Sequence, residues 1–377
     1  MFKILQLTKH YPPVFGGIET VTFDLTEGLN KRQIQCDVLC ANTNNILEVT
    51  HLKNYKVIRV PRVGKLMSTS ISPQLPSYLK KNLASYDVVH VHFPDPMAAL
   101  ALYLQKNNKV PLVVHWHSDI IRQKTLLKLY QPLQDWILKK ADRIIATSEN
   151  YALHSLSLKP YLNKVSVVPI GIDASKIGAV DTCTFDIKKE HPGKKIVFAL
   201  GRLVYYKGFE FLLKAATAIN DDTIIIIGGD GPLFTTLQAL IHQNNLTNKV
   251  FLVGKIPNVQ LSSYFNACDI FCLPAIEKSE AFGVVLLEAL YYGKPLVTSD
   301  IKESGICWVN QHDKTGYNLP PKDIVALAIK INELLANKEK YAMLSANAKE
   351  RFHEHFQSEK MVDSMVDVYK EILNRNN

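Results

Sequence analysis

Two glutamates, Glu280 and Glu288, flank Ala281-Phe282-Gly283-Val284 and an apolar run that reads as a helix. Eight helical steps of about 100° and 1.5 Å set such a pair about 12 Å apart along the axis and about 80° apart around it. Glu280 is then expected at the helix N-terminus and Glu288 two turns inside. Ionised carboxylates only accept hydrogen bonds, which suits paired hydroxyls on a sugar or a ribose. The backbone N–H groups of Phe282, Gly283 and Val284 suit a phosphate. An amphipathic helix with a capping glutamate explains the same residues equally well on this segment alone.

A second cluster is Gly201-Arg202-Leu203-Val204-Tyr205-Tyr206-Lys207-Gly208, directly after the apolar strand 196–200. Two cations leaving one strand end neutralise a diphosphate and stabilise the charge it gains on departure. A salt-bridged loop is the plainer alternative. Near the start, Gly16-Gly17 lies between a strand and a helix, where glycine lets backbone approach a phosphate or sugar. A plain turn looks the same. His115-Trp116-His117-Ser118-Asp119 ends another apolar strand. There His117 is placed to donate to a sugar hydroxyl or stabilise a reacting centre, with a structural strand-end histidine as the rival. Gly229-Asp230-Gly231-Pro232-Leu233-Phe234 imitates a dinucleotide fingerprint, but Phe234 stands where the third small residue belongs. It reads as a turn beside a nucleotide pocket.

Strand-sized apolar runs alternate with helical periodicity throughout, the pattern of parallel sheets with crossover helices. The fold class expected is α/β, with two doubly wound, Rossmann-like domains facing a central cleft. Ligands in such sheets sit beyond the carboxyl ends of the strands. The chain of 377 residues exceeds what one core usually fills. Loss of periodicity at 170–183 places one domain at 1–175 and a second at 176–357. Residues 358–377 follow as a further helix with an apolar stripe.

No secretory signal and no membrane-length apolar run is apparent, so a cytoplasmic protein is expected. The six cysteines form no CxxC motif and read as buried thiols. His90 with His92 and His115 with His117 share strand faces, but no carboxylate or cysteine completes a ligand set, and no metal is expected. Residues 1–175 hold 21 Lys+Arg against 12 Asp+Glu, whereas the remainder holds 23 of each. A one-sided basic surface suggests a polyanionic partner, nucleic acid or an anionic membrane. The stretch 121–140 mixes Arg122, Lys124, Lys128, Lys139 and Lys140 with Leu126, Leu127, Tyr130, Leu133, Trp136 and Ile137. Such basic amphipathic helices dock on membranes, though core packing explains it nearly as well.

Taken together, in order and spacing, these elements resemble the family-4 glycosyltransferases of GT-B fold. His117-Ser118-Asp119-Ile120, Lys128-Leu129-Tyr130-Gln131-Pro132-Leu133-Gln134 and Ser279-Glu280-Ala281-Phe282-Gly283 look further like bacterial O-antigen mannosyltransferases. The resemblance implies that Arg202 and Lys207 bind the donor diphosphate, Glu288 the ribose and Glu280 the transferred sugar. Ala281 to Val284 would hold sugar and phosphate, and Gly254-Lys255-Ile256 would border the base. His117 would touch the donor sugar, while Gly16 and Gly17 would meet phosphate and acceptor. It implies an acceptor-binding first domain, a nucleotide-sugar-binding second, a helix at 358–377 that packs back on the first, and a retaining, metal-independent transfer without cofactor from GDP-mannose. The basic first half and the stretch 121–140 suggest a polyprenyl-diphosphate-linked saccharide as acceptor at the cytoplasmic membrane surface. One departure is 298–305, which lacks the usual glycine pairs and leaves the local phosphate contacts open. A nucleotide-sugar epimerase and a basic nucleic-acid-binding module are the rivals; no nucleic-acid reader motif is found. A retaining glycosidase needs carboxyl groups about 5 Å apart, closer than this pair allows.

Overall fold

A computed structural model of the chain describes residues 2–14, 16–66, 69–120, 124–177 and 187–375, with all side chains except those of 124–129 and 176–177. Phe15, Arg122 and Cys183 thus lie outside the described residues, as do the side chains of Lys124, Leu126, Leu127 and Lys128. The chain divides into two compact units, Met1–Gly171 with Ser358–Asn377, and Ile172–Gln357. The first division comes slightly earlier than 175, where periodicity begins to fail.

In the first unit, β1 (Lys3–Thr8), β2 (Gln35–Ala41), β3 (Glu48–His51) and β4 (Lys56–Val60) are followed by a small hairpin, β5 (Gly64–Leu66) and β6 (Thr69–Ile71). Then come β7 (Val88–Phe93), β8 (Leu112–Trp116), β9 (Arg143–Ala146) and β10 (Val165–Val167). The main sheet has the order β10-β9-β8-β7-β1-β2-β4-β3. Only β3 runs antiparallel to its neighbour. The central strands are buried on both faces and read as largely apolar runs, interrupted by the buried polar residues Gln6, Asp37, His90, His92 and His115. By contrast β3 is almost wholly exposed, and its residues Glu48-Val49-Thr50-His51 carry no burial pattern for sequence reading to detect.

The helix Ser358–Arg375 belongs to this unit. Its stripe Met361, Val362, Met365, Tyr369 and Ile372 is buried. Gly28 of the helix Gly17–Lys31 permits the approach, because a Cβ there would meet Val362 at 2.4 Å. Ion pairs Arg32–Asp363 at 2.7 Å and Arg143–Glu371 at 2.6 Å flank it.

The second unit holds β11 (Lys195–Leu200), β12 (Thr223–Gly228), β13 (Val250–Gly254), β14 (Ile270–Leu273), β15 (Leu296–Ser299) and β16 (Gly316–Leu319), ordered β13-β12-β11-β14-β15-β16. Numbered within the unit this is 3-2-1-4-5-6, the doubly wound order with its topological switch between β11 and β14. Sequence reading missed β16, whose Gly316 lies so close to β15 that a Cβ would fall 1.9 Å from the Leu296 carbonyl oxygen.

Candidate active site

At the switch point, the segments leaving β11, β12 and β14 interlock through glycine. A Cβ at Gly229 would lie 1.9 Å from the Gly201 carbonyl oxygen, and one at Gly208 would lie 2.0 Å from that of Pro274. Both glycines have positive φ, 131° and 68°. The Leu203 amide donates to the Asp230 carbonyl at 2.9 Å, and the Gly229 amide to that of Gly254 at 2.7 Å. The fingerprint-like Gly229-Asp230-Gly231 is therefore a crossing point for backbone, which explains its glycines without a dinucleotide.

Lys207 closes a 3-10 turn, Tyr205–Lys207, ahead of the helix Phe209–Ala215. Its aliphatic stem passes over Gly201, and its Nζ pairs with Glu280 Oε2 at 2.5 Å. Both side chains are nine-tenths buried, so the pair stands in weakened solvent screening. Glu280 Oε2 has no well-directed hydrogen bond besides this ion contact. Arg202 is exposed at the same strand end. Tyr206 lies within electrostatic reach of both: burial first, then Glu280, raises its hydroxyl pKa, and Arg202 opposes them.

Glu280 stands in a loop rather than on the helix, which begins only at Val284 with Gly283 as a left-handed cap, φ 78°. The helical geometry expected for the two glutamates therefore does not apply between 280 and 283. The loop is held from several sides. Ile276 donates to the Tyr206 carbonyl at 2.8 Å, Gly305 to the Ala281 carbonyl at 2.7 Å, and the Ser304 hydroxyl to the Glu280 carbonyl. The unusual segment 298–305 is thus a buttress for the Glu280 loop. Tyr206, Ser304 and Gly305 are the residues that sequence reading missed. Phe282 turns its ring into the core, 6.1 Å from Trp308 between ring centroids.

Glu288 is the fifth residue of the helix Val284–Tyr291. It keeps a little surface in contact with solvent, yet protein surrounds its carboxyl, and this burial pushes the pKa up to about 7. At the end of β13, Gly254 (φ 69°) faces open space, Lys255 is exposed, and buried Ile256 packs where Gly228 lacks a side chain.

The first unit presents a different array. His90 and His92 on β7 share a face with His115 on β8, the register partner of His92, and His117 follows at the end of β8. The rings stack, with centroids 4.8 Å apart for His90–His92, 5.1 Å for His92–His117 and 4.2 Å for His115–His117. Burial, then the neighbouring rings, holds His90, His92 and His117 well below the usual histidine range, and burial alone takes His115 down to about 3. These rings are neutral. Ring nitrogens of His90, His92 and His115 lie within 4.8 Å of one another. The planes are within 12° to 23° of parallel, however, so their lone pairs do not converge on one point.

A directed hydrogen-bond chain runs through the array. With Gln6 Oε1 as acceptor, His92 donates from Nε2 at 2.8 Å, so His92 Nδ1 must accept. His117 Nε2 then donates to it at 2.8 Å. That tautomer leaves His117 Nδ1 as an acceptor, reversing the donor role expected from sequence. Beside it, the Tyr369 hydroxyl bonds His90 Nδ1 at 2.5 Å.

Gly16 caps the helix Gly17–Lys31 in extended conformation, with the Glu19 carboxyl 2.5 Å from where a Cβ would lie, and the space at Gly17 is open. Burial raises the pKa of Glu19 and of Asp95, and Lys9 opposes both. These groups gather at the switch between β1 and β7. The basic helix Lys124–Lys140 spends its described apolar residues on packing: Ile137 and Leu138 are buried, and Trp136 meets Tyr103 edge-on at 5.1 Å.

Two family models match the chain in tandem, Glycosyltransferase Family 4 over residues 15–176 and Glycosyl transferases group 1 over residues 183–351. O-antigen chain mannosyltransferase C of Escherichia coli is 33% identical over 98% of this chain and 99% of its own. D-rhamnosyltransferase WbpZ of Pseudomonas aeruginosa is also 33% identical, over 94% and 92%. Among solved structures, sucrose-phosphate synthase from Thermosynechococcus elongatus superposes over all of both chains with a TM-score of 0.83 at 22% identity. Anabaena HepE, solved with UDP-glucose, gives 0.77 at 21% identity over 98% of this chain and all of its own. The chain belongs to the family-4 glycosyltransferases and has the GT-B fold. It is a nucleotide-sugar-dependent transferase.

Proposed function

We propose that the chain is a retaining mannosyltransferase of surface-polysaccharide synthesis, using GDP-mannose and a polyprenyl-diphosphate-linked saccharide at the inner face of the cytoplasmic membrane. The observation that carries the reading is the Lys207–Glu280 pair at the β11/β14 switch, with Arg202 beside it. Arg202 and Lys207 take up the diphosphate, and no metal is needed for charge that two cations supply. Glu280 accepts from hydroxyls of the transferred sugar, Glu288 from those of the ribose, and the backbone of 281–284 binds phosphate. Gly254, Lys255 and Ile256 border the base. Gly16 and Gly17 serve phosphate and acceptor, and His117 Nδ1 takes a sugar hydroxyl.

In the reaction the anomeric C–O bond breaks and its electron pair stays on the phosphate. The acceptor oxygen bonds to the same face of the oxocarbenium-like sugar, and its proton passes to the departing phosphate oxygen. The two curated relatives differ in the sugar they are named for, and D-rhamnose is mannose without its 6-hydroxyl. GDP-D-rhamnose is therefore the second donor to test. Transfer from each donor to a lipid-linked saccharide, with the product anomer read by NMR and chelator present, tests every part. Inversion would overturn the mechanism, chelator-sensitive turnover the metal independence, and no transfer from either donor the donor assignment. Sugar interconversion without acceptor would make the protein an epimerase.

A further inference from the structure

Apolar residues normally scatter singly over a surface. Between 46 and 66, six large ones are exposed together: Ile46, Leu47, Val49, Leu52, Val63 and Leu66, the first 64%, Val63 63% and Leu66 59%. The chain gathers most of them. The Arg62 amide donates to the Asn44 carbonyl at 2.8 Å, and its guanidinium reaches the Thr43 carbonyl, drawing 62–63 against the 42–47 loop. Val63 then pairs with Ile71 at 2.9 Å to open the β5–β6 hairpin.

Charge says what covers this surface. Residues 42–66 contain five Lys or Arg and one acid, Glu48, which Arg59 neutralises at 2.9 Å. Lys53 and Lys65 are exposed among the apolar residues. A second copy would set this positive surface against itself, whereas apolar tips ringed by cations match an anionic lipid interface. Strand β6 is also anchored beside the carboxyl end of β1, since Ser70 Oγ lies 3.1 Å from His10 Nε2 just past that strand. We propose that the 42–47 loop, β3 and the segment 62–66 dock the protein on an anionic bilayer surface. It adds a contact distinct from the basic helix 124–140, whose described residues Ile137 and Leu138 are buried. It rests on the transferase reading only in that a lipid-linked acceptor gives docking a use.

The test is co-sedimentation of the full chain with phosphatidylcholine vesicles, with and without phosphatidylglycerol, at low and high salt and without any donor. Binding is expected only with the anionic lipid, weakening as salt rises. Each Lys or Arg near such a surface contributes about fivefold, so Lys53→Gln with Lys65→Gln should lower partitioning about 25-fold. Val63→Asp with Leu66→Asp should lower it at least about tenfold with an unchanged melting temperature. The proposal is overturned if the unaltered chain ignores anionic vesicles at low salt, or if both double variants bind as it does. It is also overturned if Leu66→Asp turns a dimer into a monomer while vesicle binding stays absent. Failure of the transferase reading would instead appear as absent sugar transfer with vesicle binding intact.

Discussion

The two sheets treat polar groups in opposite ways at comparable places. In the second unit, charges lie on loops beyond the strand ends, where Lys207 meets Glu280 and glycines let the backbones cross. In the first, polar side chains lie within the strands themselves, as neutral stacked imidazoles under a helix. The difference follows from solvation. A full charge survives near a ligand site only if a partner or water replaces its hydration, whereas a side chain buried in a sheet face without a charged partner is neutral.

The harshest way to break this contrast is to remove one charge of the pair. Lys207→Ala and Glu280→Ala should each lower turnover by about 10² to 10³, read in steady state. Each should also destabilise by about 3 kcal/mol in denaturant, because the remaining charge stays buried. Lys207→Met with Glu280→Leu should recover much of that stability and none of the activity. Near-normal turnover in the single variants would show the pair to be merely structural.

Gly229→Ala comes next, since its Cβ would fall on the Gly201 carbonyl. A loss of about 2–3 kcal/mol is expected in denaturant unfolding, together with loss of nucleotide binding. An unaltered denaturation midpoint would mean that the strand-end loops can part.

Acidity should separate the units by sign. The histidines' folded pKa values lie below the ordinary 6.5, so the unfolded chain binds protons that the fold refuses. Stability of the first unit should then fall as pH drops below about 6.5 toward 3, read by hydrogen exchange in β7 and β8. Glu288 has the opposite linkage, its pKa being raised from 4.5 to about 7. Its folded carboxyl holds a proton that the unfolded one releases, so stability declines as pH rises from 4.5 through 7. Donor affinity should rise across the same interval, as ionised Glu288 accepts from ribose hydroxyls, and Glu288→Gln should flatten it. A calorimetric pH series that stays sloped in Glu288→Gln would assign the titration elsewhere.

The smallest effect concerns the tautomer of His117. His92→Phe removes its acceptor and should cost about tenfold in turnover. The ¹⁵N shifts of His117 should report a changed tautomer, and His92→Gln should restore it through its amide oxygen. Unchanged shifts in His92→Phe would show that the chain does not set the tautomer.

Much of this was legible in the sequence. Most of the parallel strands are apolar runs with glycine or charge at their ends, and the cations of 201–208 are distinctive in that setting. Exposed β3 carried no such signal, and β16 is concealed by the glycine that makes its close approach possible. The position of Glu280 off the helix depends on Ser304 and Gly305, some 24 residues away, which no local pattern connects to it. The hydrogen-bond direction from Gln6 to His117 spans three strands and is likewise a tertiary fact.

Helix Ser358–Arg375 completes the first unit only after the chain has passed through the whole of the second. On a translating ribosome the first unit's sheet must wait, its imidazoles uncovered, until that helix emerges, while the intervening sheet is free to consolidate. A nick just before Ser358 would therefore injure the distant amino-terminal half and spare the neighbour it touches in sequence.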